Sequence, residues 1–572
     1  MPGGGSRLNF SFGKKFPVVF FFFTAALLLF WNAGRIPLFE PDEGRYADIA
    51  LTMMKTGDWL IPRMNHLVHL HKPPLSSWLV VTTFKLLGPS EFSARLPNIL
   101  LSLATLFVLM RLGNGLFEND PRPTTHNSRL AGPGLYSAWI LLTAPLYLAV
   151  SRIVTPDMLL CFLNLVAIGS IARIFFGERN KVKYFYIASI ATGLGMLTKG
   201  PVAWMMSLLP ALVFVIWKKK KLGIPAKHWI FGTLLMLALS FSWFLMIAVE
   251  KPGSLSYFLQ AQLLGRIKGG TGHRHPIFYY LTVAPLGFLP WTLFLPTAFT
   301  RGSAKSGEPR EVRDKIQFLF LGFLVPFIFF SLFKSKLATY IVPLFPPLAL
   351  ITGYFWRQFN LKKIPLTRPV AVSSWLLDVV YLLIPIAGLI FVKLRPEFIG
   401  GIQPFALFCG GGTMILAWVV MTTVLVKKKW EWVFPVEAAV GFALCFLTLT
   451  FLPAIQYKNA KVFAEKIEEI RRPGDEVLMY YRYFPSLPFY LRERVITVGA
   501  GLETATFEKD PLLAKYVIGG QEGIKSFVEG KERILALTNE EGFERAKSFT
   551  RNPLYVILKQ QGFILFSNRP FP

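Results

Sequence analysis

The chain has 572 residues, 53% of them hydrophobic, and a formal net charge of +29 from 62 Lys and Arg against 33 Asp and Glu. Its apolar residues come in long runs, which excludes a single soluble core and indicates a multispan membrane protein. The basic surplus falls mostly in short loops between these runs. That placement is typical of loops held at anionic headgroups and argues against a nucleic-acid partner.

About thirteen runs are apolar and long enough to be candidate membrane spans, since a helix needs about 20 apolar residues to cross the hydrocarbon layer. The first run follows Lys14 and Lys15 without a small-residue cleavage site, so we interpret it as an uncleaved span. The three cysteines lie in such runs with no CxxC pair and are interpreted as small core residues. The runs are Phe16–Trp31, Leu96–Met110, Leu135–Val150, Met158–Phe176, Tyr184–Leu197, Val202–Trp217, Trp229–Val249, Ile277–Phe299, Ile316–Phe333, Leu337–Trp356, Val370–Val392, Phe405–Val426 and Trp432–Leu452.

The orientation follows from where the basic residues gather, because Lys and Arg mark cytoplasmic loops. They concentrate in every second loop, which predicts that these loops are cytoplasmic: 122–129, 173–183, 218–227, 301–315, 357–368 and 427–429. The large first loop, 33–95, and everything after Pro453 then lie on the external side of the membrane. A transmembrane domain over 1–453 and an external domain over 454–572 are expected.

The segment after Pro453 changes character, with mixed charge and short apolar stretches. EVLMYY, RVITV and RILALT, which begin at Glu476, Arg494 and Arg533, are predicted strands. Helical patterns over Asn459–Arg471 and Asn539–Ser548 alternate with them. We therefore predict a small soluble α/β domain at the C-terminal end.

The first external loop carries the polar residues that most strongly suggest function, because ionisable groups beside a membrane are costly. It opens with FEPDEGRY, and its mildly apolar interior predicts short amphipathic helices in the interface. Asp42 follows a proline and is the first candidate base, with Arg45 about one helical turn later. The alternatives are a helix N-cap for Asp42 and a surface ion pair for Arg45.

HLHKPPL continues the same loop and holds Lys72 ahead of two prolines that fix the backbone. A lysine held beside a membrane suits a lipid phosphate. His66, His69 and His71 raise the question of a divalent metal, with His71 the candidate ligand. Their spacing matches no standard metal motif.

Four later external segments add candidates. Asp157 in TPDM is a second candidate catalytic carboxylate, and Lys199 in TKGP is a candidate phosphate ligand; the alternatives are a cap and a snorkelling anchor. Arg266 lies in a glycine-rich loop that we interpret as a lid, the alternative being a solvated basic loop. Lys336 and Tyr340 are predicted one helical turn apart on one face, suited to gripping a phosphate, whereas Tyr340 is alternatively a core residue.

The order of these motifs resembles the bacterial 4-amino-4-deoxy-L-arabinose transferases that modify lipid A. They lie in the GT-C superfamily of membrane glycosyltransferases, which also includes the protein O-mannosyltransferases. The stretches that carry the resemblance are FEPDEGRYADIA, TGDWLIPR, HKPPLSSW, TPDMLL, LTKGPVAW, GRIKGGTGHRHPIFYYL, SKLATYIVPLFPPLAL and YFPSLPFYL.

The resemblance implies a polytopic α-helical fold of about thirteen spans with a periplasmic α/β domain. It also implies an undecaprenyl- or polyprenyl-phosphate sugar donor, Asp42 near the reacting centre, and the carrier phosphate among the residues Arg45, Lys72, Lys199, Arg266 and Tyr340. The acceptor is lipid A, a glycan or a protein.

Two positions depart from the lipid A enzymes. His71 stands where they have a Glu before the lysine, and Gln262 stands where they have a His. Because those positions hold a metal in relatives, the departures leave metal binding open. They also leave the sugar open, with aminoarabinose the leading candidate beside mannose and galacturonic acid.

Two other classes of protein are weighed against the enzyme. A lipid-linked glycan transporter would use the same basic residues but needs charged groups deep in its spans, where Asp378 is an exception to their scarcity. A scaffold would use the α/β domain to capture a partner, with the first loop as an anchor only.

Overall fold

The computed structural model describes residues 12–65, 67–117, 132–177, 179–260, 265, 274–394, 404–454, 459–499, 516–518, 520–530 and 532–570. These residues form a helical membrane domain followed by an α/β domain. The predicted fold class, a polytopic helical membrane protein with a C-terminal α/β domain, is confirmed.

Each of the thirteen predicted runs lies on a helix or on a pair of helices. Eight helices in the described residues are long and apolar enough to cross a membrane, or ten spans if each of two bent pairs counts as one. The three remaining runs lie on α1, α8 and α9. The helices are α1 Phe12–Phe30, α2 Asp42–Thr56, α3 Leu75–Leu87, α4 Glu91–Phe117, α5 Pro133–Leu142, α6 Pro145–Ser151, α7 Asp157–Phe176, α8 Lys181–Lys199, α9 Val202–Lys218, α10 Ala226–Glu250, α11 Ser254–Tyr257, α12 Tyr279–Gly287, α13 Leu295–Thr300, α14 Arg310–Leu332, α15 Phe345–Asn360, α16 Arg368–Leu394, α17 Pro404–Val426 and α18 Val433–Phe451.

Proline positions explain the two bent pairs. The α5 and α6 helices meet at 73°, and α12 meets the 3₁₀ segment and helix over Trp291–Thr300 at 102°. Pro145 stands at the start of α6 and Pro290 directly before Trp291. Because proline lacks an N–H and its ring clashes with the preceding turn, the chain restarts a helix at each site instead of continuing one.

The first loop folds into two helices, α2 and α3, as the apolar pattern predicts. Between them a short antiparallel ladder pairs β1, Arg63–Met64, with β2, Leu67–Val68. The α2 helix is buried along much of its length, from Ala47 to Met53. Its apolar side packs with α3 and with the aromatic side chain of Phe489 from the C-terminal domain. The first loop is therefore packed between the membrane domain and the C-terminal domain.

The C-terminal domain is a six-stranded mixed sheet with helices on both faces. The strand order is β5-β4-β3-β6-β8-β7; β3 pairs in parallel with β4 and β6, while β8 runs antiparallel to its two neighbours. All three predicted strands and both predicted helices are present. The elements are α19 Lys461–Ile470, β3 Glu476–Tyr480, α20 Ser486–Leu491, β4 Ile496–Val498, β5 Val517–Ile518, α21 Gly520–Val528, β6 Ile534–Asn539, α22 Glu540–Ser548, β7 Tyr555–Gln560 and β8 Phe563–Ser567.

Directional contacts hold this domain on the first loop. The Asn65 amide exchanges two hydrogen bonds with the Val495 backbone, at 2.7 and 3.0 Å. The Tyr490 hydroxyl accepts from the Leu38 N–H at 2.8 Å. Because buried backbone groups need hydrogen-bond partners, these bonds determine how the C-terminal domain is positioned on the first loop.

Candidate active site

One cavity of about 460 Å³ opens between the first loop, the turn before α7, the end of α8 and the segment before α15. It gathers side chains from Ile36 to Leu452, including seven of the residues selected from sequence patterns. Those seven are Asp42, Arg45, His71, Lys72, Asp157, Lys199 and Tyr340.

Asp42 is the first residue of α2 and faces this cavity. The residue at the N-cap position is Pro41, with no side-chain capping bond, so the alternative N-cap role of Asp42 does not apply. The Arg45 guanidinium stands 3.9 Å from the Asp42 carboxylate, and the Asp42 side chain remains 44% exposed. A carboxylate at a helix N-terminus is stabilised by the helix dipole. This one keeps an accessible oxygen for a ligand.

The neighbouring Glu43 has a structural role that sequence reasoning missed. Its carboxylate is fully buried and receives the Arg95 guanidinium in a two-pronged pair, at 2.9 and 2.6 Å. It also accepts from the Val154 N–H at 2.9 Å. Because a buried charge is stable only when paired and hydrogen-bonded, the pair locks α2 to α4 and to the loop before α7. That lock places Asp42.

Asp157 and Lys199 form a buried ion pair at the other side of the cavity, with both side chains 5% exposed. The Lys199 ammonium also lies 3.9 Å from the centre of the Tyr340 ring, a cation–π contact. Lys199 ends α8, where the helix dipole favours a cation, and Gly200 follows with a φ of 78° that favours glycine. With its carboxylate paired to Lys199, Asp157 is better suited to positioning Lys199 than to accepting a proton.

His71 and Lys72 line the cavity from the first loop. The His69 and His71 rings lie 4.0 Å apart, and burial, followed by the charge of His71, lowers the pKa of His69 well below its ordinary value. Within the described residues, no group of three His, Cys, Asp or Glu side chains is arranged to hold a metal. The donors that the structure describes do not fit a metal site, and His66 and Gln262 lie outside the described residues.

Lys336 is absent from the residues that line the cavity, and the helical face predicted for Lys336 and Tyr340 is wrong. The α14 helix ends at Leu332 and Leu337 is extended, so the two residues share no helical face. Instead, the buried Lys336 ammonium donates to the backbone carbonyls of Phe333 and, at 3.1 Å, His275. The proposed lid residue Arg266 lies outside the described residues, and its role stays a prediction.

The structure of ArnT from Cupriavidus metallidurans bound to undecaprenyl phosphate superposes with a TM-score of 0.76 at 22% identity, covering 97% of this chain and 98% of that one. The chain has the ArnT fold. The apo state of the same protein gives a TM-score of 0.77 at 21% identity, with 96% and 98% covered.

Sequence comparisons agree with the ArnT fold. The family model described as dolichyl-phosphate-mannose-protein mannosyltransferase matches residues 71–247. An undecaprenyl phosphate-alpha-4-amino-4-deoxy-L-arabinose arabinosyl transferase of Photorhabdus laumondii is 29% identical over 58% of each chain. Its Pectobacterium atrosepticum counterpart is 27% identical over 77% of each. The chain thus aligns with little more than half the length of the former, and the resemblance noted in the motifs is confirmed.

On this ArnT fold, Glu40 is a cavity residue that sequence reasoning passed over. Its Oε1 accepts from the N–H of Ser486 at 2.9 Å and from the hydroxyl of the same residue. Its Oε2 has no hydrogen-bond partner within the described part of the chain. Burial raises the pKa of the Glu40 carboxyl to about 7, while the bonds from Ser486 oppose that rise. The one available signal was its position two residues before Asp42.

Ser486 belongs to YFPSLPFYL, the C-terminal stretch among those that carry the resemblance. In the structure this stretch forms α20 and the turn before it. The α20 helix lies directly against α2, so closely that a Cβ on Gly44 would stand 2.5 Å from the Ser486 nitrogen. The motif therefore belongs to the docking surface and, through Glu40, reaches the cavity wall.

Arg152 is a cavity cation that the sequence patterns did not single out. Its guanidinium donates to the carbonyls of Leu28, Leu29 and Trp31, at 2.8 and 2.5 Å for the first two. Carbonyls at a helix C-terminus lack intrahelical partners, and Arg152 supplies them at the end of α1. It adds positive charge to the cavity wall while serving as a helix cap.

Proposed function

We propose that this chain is a glycosyltransferase of the bacterial inner membrane that takes a sugar from an undecaprenyl- or polyprenyl-phosphate carrier on the periplasmic side. The observation that carries the proposal is the single cavity in which an accessible carboxylate, Asp42, faces Arg45, Lys72 and Lys199. Multispan architecture and the ArnT fold support it. The basic loops support the orientation.

The cations of the cavity suit the donor. A sugar leaving a lipid phosphate needs little acid assistance, because the phosphate is a good leaving group, but its charge must be held. Arg45 and Lys72 stand on the first-loop side of the cavity, and Lys199 with Tyr340 on the other. We assign the phosphate to the space between them. In this proposal the Asp157 carboxylate holds the Lys199 ammonium in position through their ion pair and does not itself accept a proton during the reaction.

Asp42 suits the acceptor. In a direct displacement, the acceptor oxygen bonds to the anomeric carbon as the carbon–oxygen bond to the phosphate breaks, and the acceptor proton passes to a base. Asp42 is the accessible carboxylate, whereas Glu43 is bound to Arg95 and Asp157 to Lys199.

The leading donor sugar is 4-amino-4-deoxy-L-arabinose and the leading acceptor is lipid A, on the similarity to the arabinosyl transferases. A second candidate is sugar transfer to a protein or glycan hydroxyl. The family match over 71–247 and the HKPP form at His71 favour it.

A transporter is less favoured. Of the described acids inside apolar helices, Asp378 accepts from Thr422 at 2.8 Å and Glu437 from Tyr381 at 2.5 Å. Each accepts a hydrogen bond from a hydroxyl of a neighbouring helix, an arrangement that suits helix packing better than a path for a charged headgroup.

The test combines carrier binding with transfer. Native mass spectrometry of the purified protein should find a bound polyprenyl phosphate or its sugar adduct, whose mass identifies the sugar. Asp42→Asn should abolish transfer, by about 100-fold or more, because the base is lost while carrier binding remains.

Asp58→Asn is the matched control. Asp58 lies in the same loop, away from the cavity, and its Oδ1 accepts from Leu60 and Ile61, a role that asparagine keeps. Transfer at near wild-type rate in Asp42→Asn would refute the assignment of the base. Bulk phospholipid as the sole bound lipid would refute the donor.

A further inference from the structure

A second groove lies at the opposite end of the helical domain from the cavity. Glu91 begins α4 beside the C-terminal domain and Asp157 begins α7 at the cavity, so the far ends of both helices mark the other membrane face. There, α4, α7 and the start of α8 enclose an open groove of about 530 Å³. In the orientation proposed above, this is the cytoplasmic face.

Two arginines converge in this groove. Arg111 and Gly115 are four residues apart on α4 and share a face. The Arg173 guanidinium of α7 lies against that face so closely that a Cβ on Gly115 would stand 1.7 Å from its Nη2. Because Gly115 has no side chain, the Arg173 guanidinium can pack against α4 at this position. Arg111 and Arg173 therefore line the same groove.

These two charges call for an anion. The Arg111 side chain is exposed and the Arg173 side chain is half-buried, and among the described residues no carboxylate forms an ion pair with either. By contrast, the half-buried Lys218 pairs with Asp314 at 2.7 Å. The remaining polar lining is neutral and can donate to an anion: Asn114, Ser170 and Tyr184. Two guanidinium forks with hydroxyl donors match the oxygens of a phosphate.

The surface leading to the groove is apolar. Leu100 and Phe107 are 50% and 52% exposed and are spaced seven residues apart, on the α4 face that continues to Arg111. In a helix that crosses a membrane, this stripe faces acyl chains. A ligand with a phosphate at one end and a hydrocarbon chain at the other fits both parts.

We propose that this groove is a binding site for the phosphate group of a membrane phospholipid, held by Arg111 and Arg173, with an acyl chain lying along Leu100 and Phe107. The site is separate from the candidate active site, and it does not depend on the proposed transfer activity. Free inorganic phosphate shares the headgroup chemistry but not the chain.

The test titrates the full-length, delipidated protein in detergent with phosphatidylglycerol, followed by native mass spectrometry. Wild type is expected to hold one phosphatidylglycerol that the double variant Arg111→Ala, Arg173→Ala binds about tenfold or more weakly. Gly115→Ala should weaken it too, because the added methyl displaces the Arg173 guanidinium with both charges retained. Lys183→Ala is the matched control, an exposed basic residue in the first turn of α8 outside the groove.

Lys183→Ala should bind phosphatidylglycerol as wild type does. An equal loss of phosphatidylglycerol binding in Lys183→Ala would mean that the lipid is attracted to the basic face in general, and it would overturn the proposed site. Unchanged binding in the arginine double variant would overturn it as well. Binding of inorganic phosphate without phosphatidylglycerol would overturn the lipid as its occupant, whereas a lipid adduct that inorganic phosphate does not displace supports it.

Discussion

At the scale of single residues, two lysines beside the membrane have the same chemistry and different surroundings. Lys72 lines the cavity, whereas the Lys336 ammonium is buried on two backbone carbonyls. Lys72→Ala should weaken carrier binding by about tenfold, since a charge-assisted contact to phosphate is lost. Lys336→Ala should lower the free energy of unfolding by about 1–3 kcal/mol, because the carbonyls lose their donor, and leave carrier affinity near wild type.

Carrier titration and thermal unfolding of the two variants separate these outcomes. A Lys336→Ala protein that is stable but binds the carrier poorly would restore the phosphate role predicted from SKLATY. Nothing in that motif reveals the difference, because the direction of the lysine depends on where α14 stops.

Glu40 makes stability depend on pH. Its pKa of about 7 in the folded chain exceeds its ordinary value of 4.5, so the folded protein holds the proton more tightly. As the pH rises from about 4.5 to about 7, the unfolded chain has released the proton while the folded chain retains it. Stability therefore falls through that window, by at most about 1.4 kcal/mol per pH unit, and levels off above it.

Glu40→Gln should remove this part of the slope while keeping an acceptor for Ser486. Thermal unfolding midpoints between pH 4.5 and 8 measure it. Asp48, whose pKa burial also raises to about 7, contributes a slope of the same sign, so Asp48→Asn is the parallel variant. An unaltered slope in Glu40→Gln would mean that Glu40 is already ionised in the folded chain.

At the scale of elements, the contact between α2 and α20 joins the two domains beside the cavity. Gly44→Ala places a methyl 2.5 Å from the Ser486 nitrogen, so α20 must move and its hydrogen bonds to Glu40 weaken. The expected cost is about 1–3 kcal/mol, typical of overpacking. Faster hydrogen exchange in α20 and a lower thermal midpoint would report it.

Gly388→Ala is the control for this change. Gly388 lies within α16, and a Cβ there meets nothing within 4 Å, so alanine should be neutral or slightly stabilising. If both alanine variants behave alike, the α2–α20 contact is looser than the structure has it.

At the scale of the whole molecule, two of the basic loops are in contact. Lys218 and Lys220 pair with Asp314, which joins two loops predicted to be cytoplasmic. The α/β domain lies at the other end of the molecule. A membrane-impermeant thiol reagent applied to intact cells with a permeable outer membrane should therefore label Arg545→Cys and leave Lys429→Cys unlabelled.

Both substituted positions are exposed in the structure, and a single apolar helix, α18, separates the loop that holds Lys429 from the C-terminal domain. Cell lysis should make both reactive, which controls for access. Labelling of Lys429→Cys alone in intact cells would invert the proposed orientation.

The sequence by itself determined the class of the molecule and most of its elements. Apolar runs must be helical in a bilayer, because each backbone group needs a partner within its own segment, so hydropathy predicted all thirteen runs. Short apolar stretches predicted β3, β4 and β6, since a strand between covering helices is buried on both faces and therefore reads as a continuous apolar run. Motif order predicted seven residues of one cavity.

Only the tertiary structure decided what each polar residue does there. Whether a carboxylate is accessible or half of a buried pair depends on its neighbours in space, as Asp42, Glu43 and Asp157 demonstrate. The partner of Asp157, Lys199, is 42 residues away in the sequence. The partner of Glu43, Arg95, is 52 residues away. The pKa of Glu40 likewise depends on a domain that begins more than 400 residues later, because burial and not spacing sets the cost of its charge.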